Sequence, residues 1–270
     1  MLACMFSSML CGADIKTIFS LKEAESILEQ LDSNALVVFD VDETLIVAID
    51  KIRRKHPQDI IDQFKQIHFD DQVKDVVHRE YLDSIKLKMT EQILVESESS
   101  YLIAALQAKS IRVIALTHMH AGTYYAIESM EKWRSEQLCH LAIDMSVHNP
   151  DRIVLQNLPM GRSSYPVFHK GILATSRSCS KGQALAELLE QLNWKPSSVV
   201  FFDDWQEHLI SVSSEMEKLG IVCTAFHYKA TEIVDSAVDI ELAKFQYKHL
   251  IEHETWLSDM QAMALMKREL

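Results

Sequence analysis

Four continuous apolar runs of strand length, Ala35–Phe39, Val113–Leu116, Val199–Phe202 and Ile221–Ala225, constrain this 270-residue chain more than any other feature. A strand with one wet face alternates apolar and polar residues. A strand that is apolar throughout is covered on both faces, as in parallel sheets. Stripes of helical period lie between the runs. Ala184, Leu185, Leu188, Leu189 and Leu192 form one; Leu209, Val212, Met216 and Leu219 form another, closed by Gly220 where a helix-ending glycine belongs. The alternation predicts an α/β fold built on a doubly wound parallel sheet.

Two intervals depart from simple alternation. Residues 46–110 are polar and mainly helical in pattern, with Ile60, Phe64 and Ile67 on one face and Leu102 and Leu106 on another. An insertion directly after the first strand sits above the carboxyl ends of the strands, where α/β ligands bind, so 46–110 is expected to form a helical cap. Residues 14–45 and 111–270 then form the core domain. In the second interval a helix is expected from Tyr124 to about Leu138. Strands follow at Arg152–Leu155 and Val167–Ala174, the latter broken by Lys170-Gly171 as at a turn. Trp256, Met260, Met263, Leu265 and Met266 read as a packed terminal helix.

The charge balance narrows the partners. A net charge of −12 disfavours nucleic-acid binding, because a phosphate backbone wants a basic face. An anionic substrate must be met by local cations or a metal ion. No apolar run reaches the roughly 20 residues of a membrane-spanning helix, so stable membrane insertion is not expected. Residues 1–13, MLACMFSSMLCGA, have the apolar and small-residue character of an export signal without its basic start, which points to a periplasmic or secreted protein, with the cytoplasm as the alternative. Cys139, Cys179 and Cys223 are widely spaced, with neither a CxxC pair nor zinc spacing.

The polar residues that end the runs carry the chemistry. The first run ends in Asp40-Val41-Asp42-Glu43-Thr44, the second in Thr117-His118, and the third in Asp203-Asp204, with Glu207 beyond; a helix opens at Ser180-Lys181-Gly182-Gln183. A parallel sheet converges these ends on one crevice. Clustered acids there are best explained by a divalent metal, and oxygen-only ligands favour Mg²⁺.

The segments VVFDVDETL, VIALT, SKGQAL and VVFFDDWQE, in this order, resemble the four motifs of the haloacid dehalogenase (HAD) superfamily, in its phosphatase branch with a DxDxT motif. The chain is also similar to secreted acid phosphatases and to an uncharacterised bacterial branch of that superfamily. The resemblance implies a phosphatase acting on phosphomonoesters through an aspartyl-phosphate. Asp40 would be the nucleophile and Asp42 the general acid and base. Thr117 and Lys181 would hold the phosphoryl group, with Thr44 and His118 as further substrate-binding positions. Mg²⁺ would be bound by the Asp40 side chain, the Asp42 carbonyl and Asp203, supported by Asp204 and Glu207. The last acid can also be counted from Asp204, which lands on His208. Glu43 is expected to face solvent or the cap. The same residues also suit a phosphotransferase or mutase, and a third reading is a binding protein that keeps the fold without turnover. The substrate is open between a phosphorylated small molecule and a phosphoprotein, and an apolar cap face could support a homodimer.

Overall fold

The computed structural model describes residues 15–55, 58–233 and 237–269. The apolar segment at residues 1–13 lies outside the described residues. In chain order the first elements are β1 (Ile15–Ile18), α1 (Glu25–Leu28), β2 (Leu36–Phe39), β3 (Ile46–Ala48), α2 (Gln58–Lys65), α3 (Val76–Met89), β4 (Gln92–Leu94) and α4 (Ser99–Ala108). They are followed by β5 (Arg112–Thr117), α5 (Met130–His140), β6 (Arg152–Val154), β7 (Val167–His169), β8 (Ile172–Ala174) and α6 (Lys181–Gln191). The last are β9 (Ser198–Asp203), α7 (Gln206–Lys218), β10 (Val222–Tyr228), α8 (Ile240–His253) and α9 (Asp259–Glu269).

The apolar runs become the centre of one mostly parallel eight-stranded sheet, ordered β1-β10-β9-β2-β5-β8-β7-β6. β1, β10, β9, β2, β5 and β8 run parallel, and the β6–β7–β8 meander adds an antiparallel edge. The period of two sorts each strand between two covered faces. Val37, Phe39, Val113, Ala115, Val200 and Phe202 enter a core shared with α4 and the end of α5. Leu36, Val38, Ile114, Leu116, Val199 and Phe201 enter the other, shared with α6 and α7. The fold is therefore doubly wound α/β. After β8 the chain returns across β2 to start β9, so the winding reverses between β2 and β9.

Within 46–110, β3 and β4 pair antiparallel and close the base of the inserted segment. Its helices have their own core, in which Ile52, Phe64, Phe69, Leu82 and Ile85 pack on Ala243, Tyr247, Leu250 and Trp256 of the C-terminal part. α4 belongs instead with the sheet, through Ile103 and Leu106. Two local expectations fail for identifiable reasons. Ile67 is 54% exposed rather than sharing the face of Phe64. Residues Gln66–Asp70 form a π-helical turn, and its extra residue rotates Phe69 inward in its place. α5 starts at Met130, not Tyr124, because Ser129 caps it and Tyr124 and Ile127 close a turn on each other.

The break at Lys170-Gly171 is a two-residue hairpin loop with φ of 47° and 81°, the primed turn that suits the twist of flanking strands. A Cβ on Gly171 would lie 1.9 Å from the Met145 carbonyl oxygen. Gly171→Ala is therefore expected to lower stability by about 2 kcal/mol or more in denaturant unfolding. An unchanged midpoint would refute this account of the turn.

Candidate functional site

Strand register decides which side chains meet. Phe39 lies opposite Phe202, their rings stacked at 4.8 Å, and Asp40 N–H donates to the Phe202 carbonyl at 2.8 Å. The next residues along, Asp40 and Asp203, therefore leave the sheet side by side. Lys181 opens α6 behind the expected capping box of Ser180 and Gln183. Its fully buried ammonium donates to Asp40 Oδ1 and, at 2.6 Å, to Asp203 Oδ2. The other Asp203 oxygen accepts from Trp205 N–H at 2.8 Å and lies 3.2 Å from His208 Nδ1. Gly182 lets this corner close. Its N–H donates to Ser211 Oγ at 2.9 Å, and a Cβ there would stand 2.2 Å from the Ser211 carbonyl oxygen.

The carboxylates of Asp40, Asp203 and Asp204 lie within 4.8 Å of one another. Burial pushes the Asp40 carboxyl up, Asp203 and Asp204 add to this, and Lys181 only partly opposes it. Burial acts the same way on Asp203, but there Lys181 and His208 prevail and hold it below the usual carboxylate range. Burial also raises Asp204, against the pull of Lys55, whose ammonium sits 2.6 Å from Asp204 Oδ2. Three acids sharing one buried corner carry more negative charge than Lys181 and Lys55 together offset. Oxygen-only donors with surplus negative charge suit a hard divalent cation, so Asp40, Asp203 and Asp204 fit Mg²⁺.

The other expected residues are placed unequally. Asp42 lines the same cleft, half-exposed, its carboxylate held at 2.9 Å by the buried guanidinium of Arg134. Thr117 and His118 also line it; His118 Nδ1 shares a 2.8 Å hydrogen bond with Thr175 Oγ1, and burial pushes this ring down to about 4. Thr44 is buried outside the cleft lining, and its Oγ1 has no hydrogen-bond partner among the described residues. Glu207 is exposed and lines no part of the cleft; His208, the alternative count, is the residue that reaches Asp203. Glu43 lines the cleft and faces the inserted segment, where it interacts with Lys55. It is half-buried at φ 62°, with Oε2 enclosed and without a hydrogen-bond partner among the described residues, and burial with Asp204 and Asp42 pushes its carboxyl up to about 7.

Reading the sequence missed Arg134 and Lys55. Arg134 lies four residues from both Met130 and Leu138, on the stripe that α5 buries, and a cation on such a stripe is the signal that could have found it. Lys55 ends the triplet Arg53-Arg54-Lys55, a basic run close behind the acidic loop. The whole cleft encloses about 580 Å³ and is lined by eight Lys/Arg against five Asp/Glu, the reverse of the balance of the chain.

A family model described as "Protein of unknown function (DUF2608)" matches residues 17–263. The chain belongs to that family. This DUF2608 protein is 22% identical over 244 residues to an uncharacterized protein of Rickettsia prowazekii, covering 90% of this chain and 87% of that one. It is 26% identical over 140 residues to an uncharacterized protein of Rickettsia typhi, covering 50% of this chain and 47% of that one. Among solved structures it overlaps a haloacid dehalogenase-like hydrolase of Streptococcus pneumoniae at TM-score 0.41 and 14% identity, over 77% of this chain and 92% of that one. An overlap that loose carries no argument about activity. No helix among the described residues is long and apolar enough to cross a membrane.

The raised Glu43 carboxyl has a stability consequence. Its protonated form favours the fold fully below the ordinary value of 4.5, and that contribution is lost as pH rises through about 7. In EDTA, wild-type Tm should therefore fall more between pH 5 and pH 8 than that of Glu43→Gln. Parallel pH profiles for the two proteins would contradict the buried placement.

Proposed function

We propose that this DUF2608 protein is a Mg²⁺-dependent phosphatase that hydrolyses phosphomonoesters through an aspartyl-phosphate on Asp40. The observation that carries this reading is the trio of Asp40, Lys181 and Asp203 at the point where the sheet's winding reverses, with Asp42 two residues on in the same cleft. The inserted helices of 46–95 act as the cap over that cleft.

In the first half-reaction an Asp40 oxygen attacks phosphorus and the ester P–O bond breaks. Asp42 gives its proton to the departing alkoxide. In the second half, Asp42 takes a proton from water, whose oxygen attacks phosphorus, and Asp40 leaves as a carboxylate. Lys181 offsets charge on Asp40 and the transferring group, and Thr117 donates its hydroxyl to a phosphoryl oxygen. Asp40, Asp203 and Asp204 would hold Mg²⁺, which supplies charge neutralisation for the phosphoryl oxygens when bound. Arg134 orients Asp42 by its paired guanidinium.

Wild-type protein is expected to release phosphate from p-nitrophenyl phosphate with Mg²⁺ and to lose that activity in EDTA. Asp40→Asn should lower kcat by about a thousandfold or more, and Asp42→Asn by about a hundredfold or more. Added Mg²⁺ should raise the Tm of wild type and much less that of Asp203→Asn, read by calorimetry without substrate. Full activity in Asp40→Asn, or no phosphate from any ester tried, would sink the mechanism.

A further inference from the structure

Phosphoryl transfer uses one end of the cleft. Ligand pockets of about 300–1,000 Å³ hold whole organic molecules, and this cleft of about 580 Å³ is in that class. Its other wall comes from the inserted segment and carries Arg53, Lys65 and Lys86 with one lining acid between them, Asp83, while buried Asp50 acts on Arg53 from outside the lining. Lys86 is buried, bonded to Asp83, with its ammonium 5.0 Å and 4.9 Å from the centres of the Phe69 and Tyr247 rings. Arg53 Nε is buried with no hydrogen-bond partner among the described residues. Burial alone would raise the Asp83 carboxyl, yet the three cations hold it below its ordinary value. Two carboxylates do not balance three cations. Lys86 is already satisfied by Asp83 and the Tyr247 hydroxyl, so the open capacity lies with the buried Arg53 Nε and the surplus positive charge of this wall, and both suit an anion that arrives from outside.

Resting on the phosphatase reading, we propose that the substrate is a small phosphomonoester bearing a second anionic group, a carboxylate or another phosphate, which docks on Arg53, Lys65 and Lys86. The scissile phosphate meets Asp40 while the second group meets this wall. A small molecule fits better than a phosphoprotein, because two ion pairs tie the inserted helices to the sheet domain beside the cleft. One is Lys55–Asp204 at 2.6 Å; the other is Glu80–Arg162, braced by the Tyr125 hydroxyl at 2.7 Å from Glu80.

The test is calorimetric binding to full-length Asp40→Asn with Mg²⁺, using pairs that differ in the second anion. 3-Phosphoglycerate is compared with glycerol 3-phosphate, and fructose 1,6-bisphosphate with fructose 6-phosphate. In at least one pair the doubly anionic member should bind about tenfold tighter or more, and adding Arg53→Gln or Lys65→Gln should remove most of that ratio. The two pairs distinguish a carboxylate from a phosphate as the second group. Equal affinities within both pairs, no measurable binding, or a ratio indifferent to both substitutions would overturn the proposal. So would tighter binding of an acidic phosphotyrosine peptide than of either doubly anionic compound. Wild-type phosphate release, assayed separately, tests the phosphatase reading. Loss of that reading leaves the calorimetry still informative about the second-anion wall.

Discussion

The register of β2 against β9 is the constraint on which the crevice depends. Phe39 stacked on Phe202 commits Asp40 and Asp203 to adjacent exits from the sheet, where two carboxylates in a buried corner repel. A slip of one residue would turn every side chain of β2 to the opposite core, and Val38 and Phe39 would exchange faces. The two hydrophobic cores thus hold the acids in place far more firmly than the acids' own interactions do. Lys181 makes the arrangement tolerable, its ammonium shared between the two carboxylates and its helix pressed onto α7 at Gly182.

That division of labour explains which parts were legible from sequence. The parallel strands announced themselves because two-sided burial removes alternation, and the acids were conspicuous because they end such runs. Capping chemistry likewise marked Ser180 and Gln183 around Lys181. What stayed hidden depends on contacts between distant segments. The short edge strand β1 has only Ile18 fully buried and pairs with β10 over two hundred residues away, so its own pattern says little. The helix turn at Gln66–Asp70 changes which residue faces inward, an effect no fixed period anticipates. Arg134 on Asp42 and Lys55 on Asp204 are tertiary pairings between segments that carry no mutual signal. Glu207 and His208 show the limit of motif counting: one position along a helix is about 100° of rotation, enough to exchange a crevice contact for solvent.

The charge distribution is polarised in a way the total conceals. An acidic surface repels anions at long range, whereas the cationic lining attracts them once they are within roughly a Debye length of 8–10 Å.

The core of the inserted helices has a consequence for biosynthesis. Phe64, Phe69, Leu82 and Ile85 are covered by Tyr247, Leu250 and Trp256, partners that leave the ribosome more than 150 residues later. At about 5–20 residues per second, that apolar surface waits many seconds for its cover, while the sheet can assemble around β2, β5 and β9. The nascent chain therefore passes through a stage in which the acidic edge of the sheet exists but the inserted segment is still exposed and sticky. The last helices complete the molecule by covering the inserted segment from the far end of the sequence.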